Sequence, residues 1–211
     1  MRLWSHLRRW FTAHHGLPVG ALRDVGFLAV DLETTGLDTR RDTIVALAAI
    51  PFVSSEPLPG FVTLVDPGRP IPAASTAIHG LTDRMVAGAP SVDRVIGDLD
   101  GLFDGRIVVG HGVDFDLTII NRERGLRGLP RLANPALDTQ RLAAVICPQW
   151  RDYSLETVAA RLGVEVVGRH TAPGDALAAG RVLLALLPLL EGDGVRTVSE
   201  LVWLQRRPIV R

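Results

Sequence analysis

Two carboxylates separated by a single leucine end the apolar run VGFLAVDLE, at Asp31 and Glu33. If residues 27–33 form an extended strand, its two-residue period places both side chains on the same face. Like charges that lie this close either raise one pKa or recruit a cation, and Mg²⁺ prefers such oxygen ligands. Asp-x-Glu at a strand end is also common outside active sites, so the pair alone predicts a metal site only weakly.

Two more acidic segments stand where strands are expected to end or helices to begin. Asp114 and Asp116 follow the apolar segment 106–110, and ligands gather at the carboxyl ends of strands in open α/β sheets. His170 and Asp175 flank the sequence TAPG at a loop-to-helix junction. Each also has an ordinary structural explanation, because an acid is favoured in the first turn of a helix and a loop histidine can serve as a hydrogen-bonding group.

Hydrophobic periodicity and turn residues predict an α/β fold, a mixed β-sheet flanked by helices. The predicted strands cover residues 26–32, 42–53, 61–65, 106–110 and 134–138. The predicted helices cover residues 73–79, 91–103, 113–124, 139–145, 154–163 and 174–190. Short turns between the first three strands indicate an antiparallel meander. Such a sheet brings the three acidic segments together.

The composition fits one domain with short extensions. The chain has 211 residues, with 23 basic and 23 acidic side chains. Its net charge of zero therefore does not indicate a polyanionic or membrane partner. All the basic side chains are Arg, which suits phosphate contacts but equally fits a compositional bias. The single cysteine, Cys147, predicts a buried structural thiol in a cytoplasmic protein. The strongest apolar run, residues 182–190, is about half as long as a membrane span.

The order of the segments DLETTGL, HGVDFD and RHTAPGD resembles the three exonuclease motifs of the DnaQ-like DEDD superfamily. The third motif is similar to that of the histidine-containing subclass, DEDDh. A further segment, IHGLTD at residues 78–83, resembles the IHGIT-like segment that lies beside the 3′ end of the substrate in this family. The resemblance covers about residues 24–190 and implies a ribonuclease H-like fold.

The resemblance implies a 3′–5′ exonuclease that uses two divalent metal ions, Mg²⁺ or Mn²⁺, about 4 Å apart. It would release nucleoside 5′-monophosphates from single-stranded 3′ ends. Asp31 would bridge both ions, Glu33 and Asp175 would hold the ion that activates water, and Asp116 would help to hold the other. His170 is implied as the general base, because an imidazole is suited to accept a proton near neutral pH.

The resemblance also implies a set of substrate contacts. Thr34, Thr35 and Leu37 would line the terminal nucleotide, Leu37 as an apolar contact and the two threonines through backbone donors. Phe115, in the second motif, is a further substrate-binding candidate. His79 is expected either at the terminal sugar or phosphate or in the core.

Two positions depart from the family pattern. Gly112 stands where the second motif usually has Asn, so a side-chain contact to substrate or backbone is missing. Asp114 is an additional acid beside Asp116. Alignment of the motif favours Asp116 as the metal ligand, and Asp114 is expected to be solvated.

The expected organisation is an amphipathic N-terminal extension and linker at residues 1–23, an exonuclease domain at residues 24–192 and a C-terminal helical tail at residues 193–211. Tryptophan and arginine residues in both terminal segments indicate contacts with a polymerase or another protein partner. The apolar stripe of the extension consists of Leu3, Leu7, Trp10 and Phe11.

Two other functions stay open. An RNA-directed 3′–5′ exonuclease of the same superfamily, like an oligoribonuclease, usually has Met at the position of Thr34, and this favours single-stranded DNA over RNA as the substrate. A noncatalytic module that docks a polymerase is the second alternative. The intact acids and His170 argue against it.

Overall fold

The computed structural model describes residues 17–206, and its centre is a six-stranded mixed sheet. The strands are β1 (Phe27–Thr34), β2 (Ile44–Val53), β3 (Glu56–Pro57), β4 (Phe61–Leu64), β5 (Val108–Gly110) and β6 (Ala136–Asp138). Their order is β3-β2-β1-β5-β6, and β4 also pairs with β2. β2 is antiparallel to β1 and β4, whereas β5 is parallel to β1 and β6 is parallel to β5. The predicted mixed sheet and its antiparallel meander are therefore confirmed.

Helices cover both faces of this sheet. The helices of the described residues are α1 (Val19–Val25), α2 (Ala73–His79), α3 (Asp83–Val86), α4 (Val92–Asp98), α5 (Asp100–Phe103), α6 (Val113–Leu126), α7 (Thr139–Ile146), α8 (Leu155–Arg161), α9 (Ala172–Gly192) and α10 (Val198–Leu204). One core cluster joins the sheet to α1, α7, α8, α9 and α10, and a second joins it to α4 and α6. Successive residues of β1 enter different clusters, because neighbouring side chains of a strand point to opposite faces.

Alanines allow α9 to lie close to the centre of the sheet. Ala29 and Ala48 on the sheet and Ala172 and Ala176 on α9 are buried in the same core cluster. Protein interiors are close-packed, so small side chains on both elements bring the helix backbone near to the strands. The start of α9 consequently lies beside the end of β1.

Some elements differ from the prediction. The single helix expected over residues 91–103 is divided into α4 and α5, with a break at Leu99. The hydroxyl group of Ser91 caps α4 by accepting a hydrogen bond from Arg94 N. β3 and α3 were not predicted, because segments this short carry no hydrophobic period. The other predicted elements are present, with ends that differ by a few residues.

Both ends of the described chain pack on the main core. Val19 and Leu22 of α1, and Val198 and Leu201 of α10, are buried in the core cluster that contains α9. Val198 N also donates a hydrogen bond to Leu17 O at 2.7 Å. The two ends therefore contact each other as well as the sheet.

This packing differs from the expected division into extension, domain and tail. Residues 19–25 form helix α1, which packs in the core where a linker was expected, and α10 packs in the same core where a separate tail was expected. The compact unit thus extends beyond residues 24–192 on both sides. The stripe of Leu3, Leu7, Trp10 and Phe11 lies outside the described residues.

The apolar stretch of helix α9 is longer than residues 182–190 alone. By length and composition it is the one described helix that is able to cross a membrane, and 56% of its most apolar window is buried inside the fold. Burial of this kind is typical of the core helix of a globular protein. Cys147, just after α7, is buried and unpaired, as predicted.

Candidate active site

Strand β1 places Asp31 and Glu33 on the face of the sheet that α9 covers. Leu32 between them is buried in the opposite core cluster, which confirms the predicted alternation. Ligand oxygens of Asp31, Glu33 and Asp175 all lie within 4.8 Å of one another. The carboxylates from the first and third motifs therefore form a single cluster, which we call the acid cluster.

The start of α9 carries Asp175 into this cluster. Thr171 caps the helix, its hydroxyl oxygen accepting a hydrogen bond from Gly174 N at 3.2 Å. Gly174 itself packs against the preceding loop, and a Cβ atom there would lie 2.1 Å from Gly168 O. Only glycine fits this close approach, so the sequence TAPG fixes the position at which Asp175 enters the first turn.

Asp116 reaches the site from α6, on the other side of β1. It is buried, and its Oδ1 accepts a hydrogen bond from Leu32 N at 3.1 Å. The pairing of β1 with β5 covers only Leu28 and Ala29, so this amide has no strand partner and the carboxylate takes that place. Asp116 is not one of the three residues within 4.8 Å, but its charge acts on Asp31.

Burial and mutual repulsion make the acids of the site hard to ionise. The pKa of Asp31 is raised well above its usual range, first by burial and then by the charges of Asp116, Asp175 and Glu33. Burial, with repulsion from Asp175, raises the pKa of Glu33 from 4.5 to about 7. Burial also raises the pKa of Asp116 and of Asp175. A cluster of this kind favours a bound cation.

Arg169 supplies positive charge at the edge of the acid cluster. Its Nη1 contacts Asp175 Oδ2, and its Nε donates to Glu156 Oε1 at 2.6 Å. The guanidinium lowers the pKa of Asp31, Glu33 and Asp175, in each case against the larger effect of burial. No pattern in the sequence distinguishes this arginine from the others, and sequence reasoning missed it together with Glu156.

His170 lies beside the acid cluster and is exposed. Its backbone has the left-handed conformation, φ 60°, which few residues other than glycine adopt. The side chain is 45% exposed, and Nε2 lies 4.0 Å from Glu156 Oε1. A backbone hydrogen bond from His170 lowers the pKa of Asp175. The ring is therefore open to solvent beside Glu156, whereas the backbone of His170 contacts the acid cluster.

The loop after β1 contains the expected substrate contacts, but only one of them is open. Leu37 is 81% exposed, as an apolar contact requires. Thr34 is buried, and its hydroxyl donates to Gly36 O at 2.7 Å. Thr35 is buried with its amide donating to Thr43 O and its hydroxyl to Asp42. The substrate role expected for Thr35 is thus replaced by an internal one, because both its donors are already used.

His79 and Phe115 both lie largely inside the protein. His79 is 8% exposed, and its Nδ1 accepts a hydrogen bond from Leu81 N at 3.0 Å. The neutral ring therefore carries its proton on Nε2, which is buried and has no hydrogen-bond partner among the described residues. Phe115 is partly buried against the second core cluster. The structure therefore favours a packing role for both side chains.

The turn into α6 explains the glycine of the second motif. Gly112 has φ 81° and ψ 30°, the left-handed conformation that glycine and asparagine adopt most readily. Its amide donates to Asp138 Oδ1 at 3.0 Å. A Cβ atom at this position would meet nothing within 4 Å. The backbone geometry is thus the same one that an Asn would take, and only the side chain is missing.

Asp138 is a second group that sequence reasoning missed. It is buried at the end of β6, where its Oδ1 also accepts hydrogen bonds from Gln140 N and Arg141 N, and its charge raises the pKa of Asp116. Its position directly after a parallel strand is the signal that would have found it. Asp114 is exposed, as expected, and pairs with Arg141 at 2.8 Å.

A separate hollow of about 570 Å³ lies at the opposite end of β5. Its walls include Arg106 before β5, Arg124 near the end of α6 and Asn134 before β6. The side-chain amide of Asn134 donates to Phe103 O and Arg106 O. None of the predicted site residues lines this hollow.

The acid cluster fits divalent cations. Asp175 Oδ1 is buried and has no hydrogen-bond partner among the described residues, although a buried carboxylate oxygen is costly to leave unpaired. Carboxylate oxygens are the ligands that Mg²⁺ and Mn²⁺ prefer. Asp31, Glu33 and Asp175 are therefore suited to hold a metal ion. The charge of Asp116 also acts on Asp31.

Comparison with known proteins gives sequence relatives whose names refer to DNA polymerase III. A DNA polymerase III subunit epsilon-like protein of Rhodobacter capsulatus is 43% identical over 176 residues, 81% of this chain and 25% of that protein. The PolC-type DNA polymerase III of Bacillus cereus is 31% identical over 166 residues, 79% of this chain and 12% of that protein. The chain thus spans a quarter or less of the length of these relatives.

Solved structures share the fold. Escherichia coli exonuclease I in complex with a dT13 oligonucleotide aligns with a TM-score of 0.66 at 19% identity, over 78% of this chain and 41% of that chain. Exonuclease X in complex with 5′-overhanging duplex DNA aligns with a TM-score of 0.58 at 24% identity, over 82% of this chain and 97% of that chain. The mixed sheet flanked by helices is therefore the ribonuclease H-like fold.

The sequence profile of the exonuclease family, RNase_T, matches residues 28–183. This range runs from β1 to the middle of α9 and includes all three motifs. The chain therefore belongs to the exonuclease family.

Proposed function

We propose that this protein is a metal-dependent 3′–5′ exonuclease of the DEDDh subclass that removes nucleoside 5′-monophosphates from single-stranded DNA. The observation that supports this best is the convergence of Asp31, Glu33 and Asp175 within 4.8 Å in a member of the exonuclease family. Buried acids with raised pKa values are stable as carboxylates when they surround a cation. Such a cluster therefore suits phosphodiester hydrolysis.

Two divalent ions, Mg²⁺ or Mn²⁺, fit the proposed ligand set. Asp31 would serve both ions, Glu33 and Asp175 would hold the ion that activates water, and Asp116 would help to hold the other. When bound, such ions activate the attacking water and neutralise charge on the leaving oxygen. The four carboxylates nearly balance the charge of two dications, which removes the repulsion that raises their pKa values in the metal-free protein.

His170 is the proposed general base. Its backbone contacts Asp175 of the acid cluster and its side chain is 45% exposed, so the ring is suited to accept a proton from the attacking water and return it to solvent. Leu37 is the proposed apolar contact with the terminal nucleotide, because it is 81% exposed on the loop that follows Glu33. His79 is 8% exposed, which supports the core-packing role that was the other expectation for it.

The preference for DNA and the polymerase partner rest on the relatives. The names of the sequence relatives refer to DNA polymerase III, and the solved neighbours hold DNA oligonucleotides. We therefore propose single-stranded DNA as the substrate and a polymerase as a partner. RNA digestion by the same acid cluster is the alternative, because none of the contacts described distinguishes a 2′-hydroxyl group.

The test uses 5′-labelled single strands of DNA and RNA with the same sequence, incubated with Mn²⁺ with and without excess chelator. We expect the labelled strand to lose one nucleotide at a time from its 3′ end, and DNA to be digested faster than RNA. Excess chelator should stop the reaction. Internal cuts, or loss from the 5′ end, would contradict the proposal. Faster digestion of RNA would favour the RNA-directed enzyme, and no digestion of either strand would favour the docking module.

A substitution of His170 tests the proposed base. His170→Ala should reduce turnover by a factor on the order of 10² or more, because the water loses its proton acceptor. Mn²⁺ binding, measured by isothermal titration, should stay close to that of the wild type, since no carboxylate is removed. Asp114→Asn, an exposed change on α6, serves as the control. Equal turnover of wild type and His170→Ala would show that another group is the base.

A further inference from the structure

Arg169 joins a buried carboxylate of the acid cluster to an exposed carboxylate outside it. Nη1 contacts Asp175 Oδ2, whose side chain is 7% exposed, and Nε donates to Glu156 Oε1 at 2.6 Å, whose side chain is 49% exposed. Asp175 lies in the first turn of α9, whereas Glu156 lies in the first turn of α8. A guanidinium has donors on several edges, so it can keep one partner while it releases the other.

The Asp175 contact lies where a metal ion would need ligands. Asp175 Oδ2 is occupied by the guanidinium, whereas Asp175 Oδ1 is buried without a hydrogen-bond partner among the described residues. Arg169 and a divalent cation both draw their binding energy from the negative charge of this carboxylate. They consequently compete for it, and binding of the one weakens binding of the other.

We propose that Arg169 is a displaceable counterion: it neutralises Asp175 while the acid cluster is metal-free, and it is held by Glu156 alone once a divalent cation binds. The proposal rests on the metal site proposed above. Glu156 makes the exchange inexpensive, because the guanidinium loses one charged partner and keeps the other. Glu156 thus sets the metal affinity from outside the cluster, as a positioning residue.

The two substitutions at this ion pair should change metal affinity in opposite directions. Arg169→Gln removes the competitor, so Mn²⁺ should bind more tightly, by a factor on the order of tenfold, as expected for one charged hydrogen bond. Glu156→Gln removes the alternative partner, so Arg169 should stay on Asp175 and Mn²⁺ should bind more weakly. A purely structural role would weaken binding in both variants.

The experiment measures Mn²⁺ affinity by isothermal titration with the full chain, for the wild type, Arg169→Gln and Glu156→Gln. Arg94→Gln removes an exposed ion pair with Asp98 on α4 and serves as the matched control. Thermal melting in chelator accompanies each titration. Arg169→Gln should lower the melting temperature of the metal-free protein and leave that of the Mn²⁺-loaded protein closer to wild type. Turnover is not the readout, because Glu156 also lies 4.0 Å from His170.

The outcomes separate this inference from the proposed function. Opposite shifts in the two variants, with no shift in Arg94→Gln, support the inference. Unchanged affinity in both, or a shift in the same direction in both, would overturn it while the metal site stands. If Arg169→Gln does not fold, the exposed Glu156→Gln variant still decides, since unchanged or tighter Mn²⁺ binding there contradicts the exchange. A wild type that binds no Mn²⁺ would overturn the metal site, and the inference with it.

Discussion

The carboxyl group of Glu33 links the charge of the site to stability. Burial and repulsion from Asp175 raise its pKa from 4.5 to about 7 in the metal-free protein. An acid with a raised folded-state pKa binds more protons folded than unfolded between these two values. The stability that its proton confers is therefore complete below about pH 4.5 and is lost as the pH rises through about 7.

Replacement of Glu33 should remove this dependence. In chelator at pH 8, Glu33→Gln is expected to melt at a higher temperature than the wild type, because the repelling charge is gone. The difference should shrink as the pH falls towards 5. Melting curves of both proteins across this range check the prediction, with the exposed Glu165→Gln as the control. A difference in melting temperature that grows as the pH falls would contradict the repulsion between Glu33 and Asp175.

Gly112 offers a test of the departure from the family motif. Asparagine tolerates the left-handed conformation, and a Cβ atom meets nothing within 4 Å. Gly112→Asn should therefore cost at most about 1–2 kcal/mol of stability. If the missing amide normally contacts substrate, KM for a single strand should fall in this variant. Gly112→Val, with a branched side chain in the same conformation, is the control and should be much less stable.

The residues of the site were predictable to different degrees. Asp31 and Glu33 share a face because of the strand period, which the sequence alone contains. Arg169 and Glu156 meet across a loop and a helix start, and no periodicity records that contact. Thr35 was misjudged for a related reason, since its donors are used by the return of the chain at residues 42 and 43.

At the scale of the elements, side chains from two helices remote in sequence hold the loop between β1 and β2 by hydrogen bonds. Arg122 of α6 donates to Thr39 O and Asp42 O, and Ser75 of α2 donates to Thr35 O at 2.7 Å. These contacts fix the loop that presents Leu37. A loop ordered before binding does not lose that freedom when the substrate arrives.

Loosening this loop should affect binding more than chemistry. Arg122→Lys keeps a charge beside Glu123 but loses the forked donors that reach two carbonyl groups. We expect KM for a single strand to rise by about tenfold or less, with a smaller fall in kcat. Arg196→Lys is the matched control, because Arg196 also donates to carbonyl groups, at the far end of α9. A fall in kcat alone would contradict the role of the loop.

The elements themselves were largely predictable. Residues 27–34 and 44–53 are largely apolar strands, and helices α4 and α9 begin after the capping residues Ser91 and Thr171. The break at Leu99 was not predictable, since residues on both sides have helical spacing. Elements of two to four residues, such as β3 and α3, are held by neighbours and carry no pattern of their own.

At the scale of the whole molecule, the ends of the described chain belong to the core. The expected boundaries at residues 23 and 193 set apart terminal segments that carry Trp and Arg residues. Composition does not show that Val198 and Leu201 are buried with α1 and α9, since that depends on tertiary packing. The side chain of Gln205, just after α10, pairs with the edge strand β6. It accepts a hydrogen bond from Asp138 N and donates one to Ala136 O.

A core substitution in α10 tests this packing. Leu201→Ala should lower the free energy of unfolding by about 2–5 kcal/mol, because a fully buried leucine leaves a cavity. Leu189→Ala is the control, since Leu189 is 44% exposed on α9 and should cost much less. Denaturant unfolding measures both. A small effect at Leu201 would mean that α10 is a separate tail.

The central claim is that the acid cluster holds the metal ions that hydrolyse 3′ ends. The most direct measurement is mass spectrometry of the products that wild type and Asp31→Asn release from a single-stranded DNA oligonucleotide in Mn²⁺, with Asp114→Asn as the matched acidic control. We predict nucleoside 5′-monophosphates from the wild type and from Asp114→Asn, and none above background from Asp31→Asn. Equal release of nucleotides by Asp31→Asn and the wild type would contradict the claim.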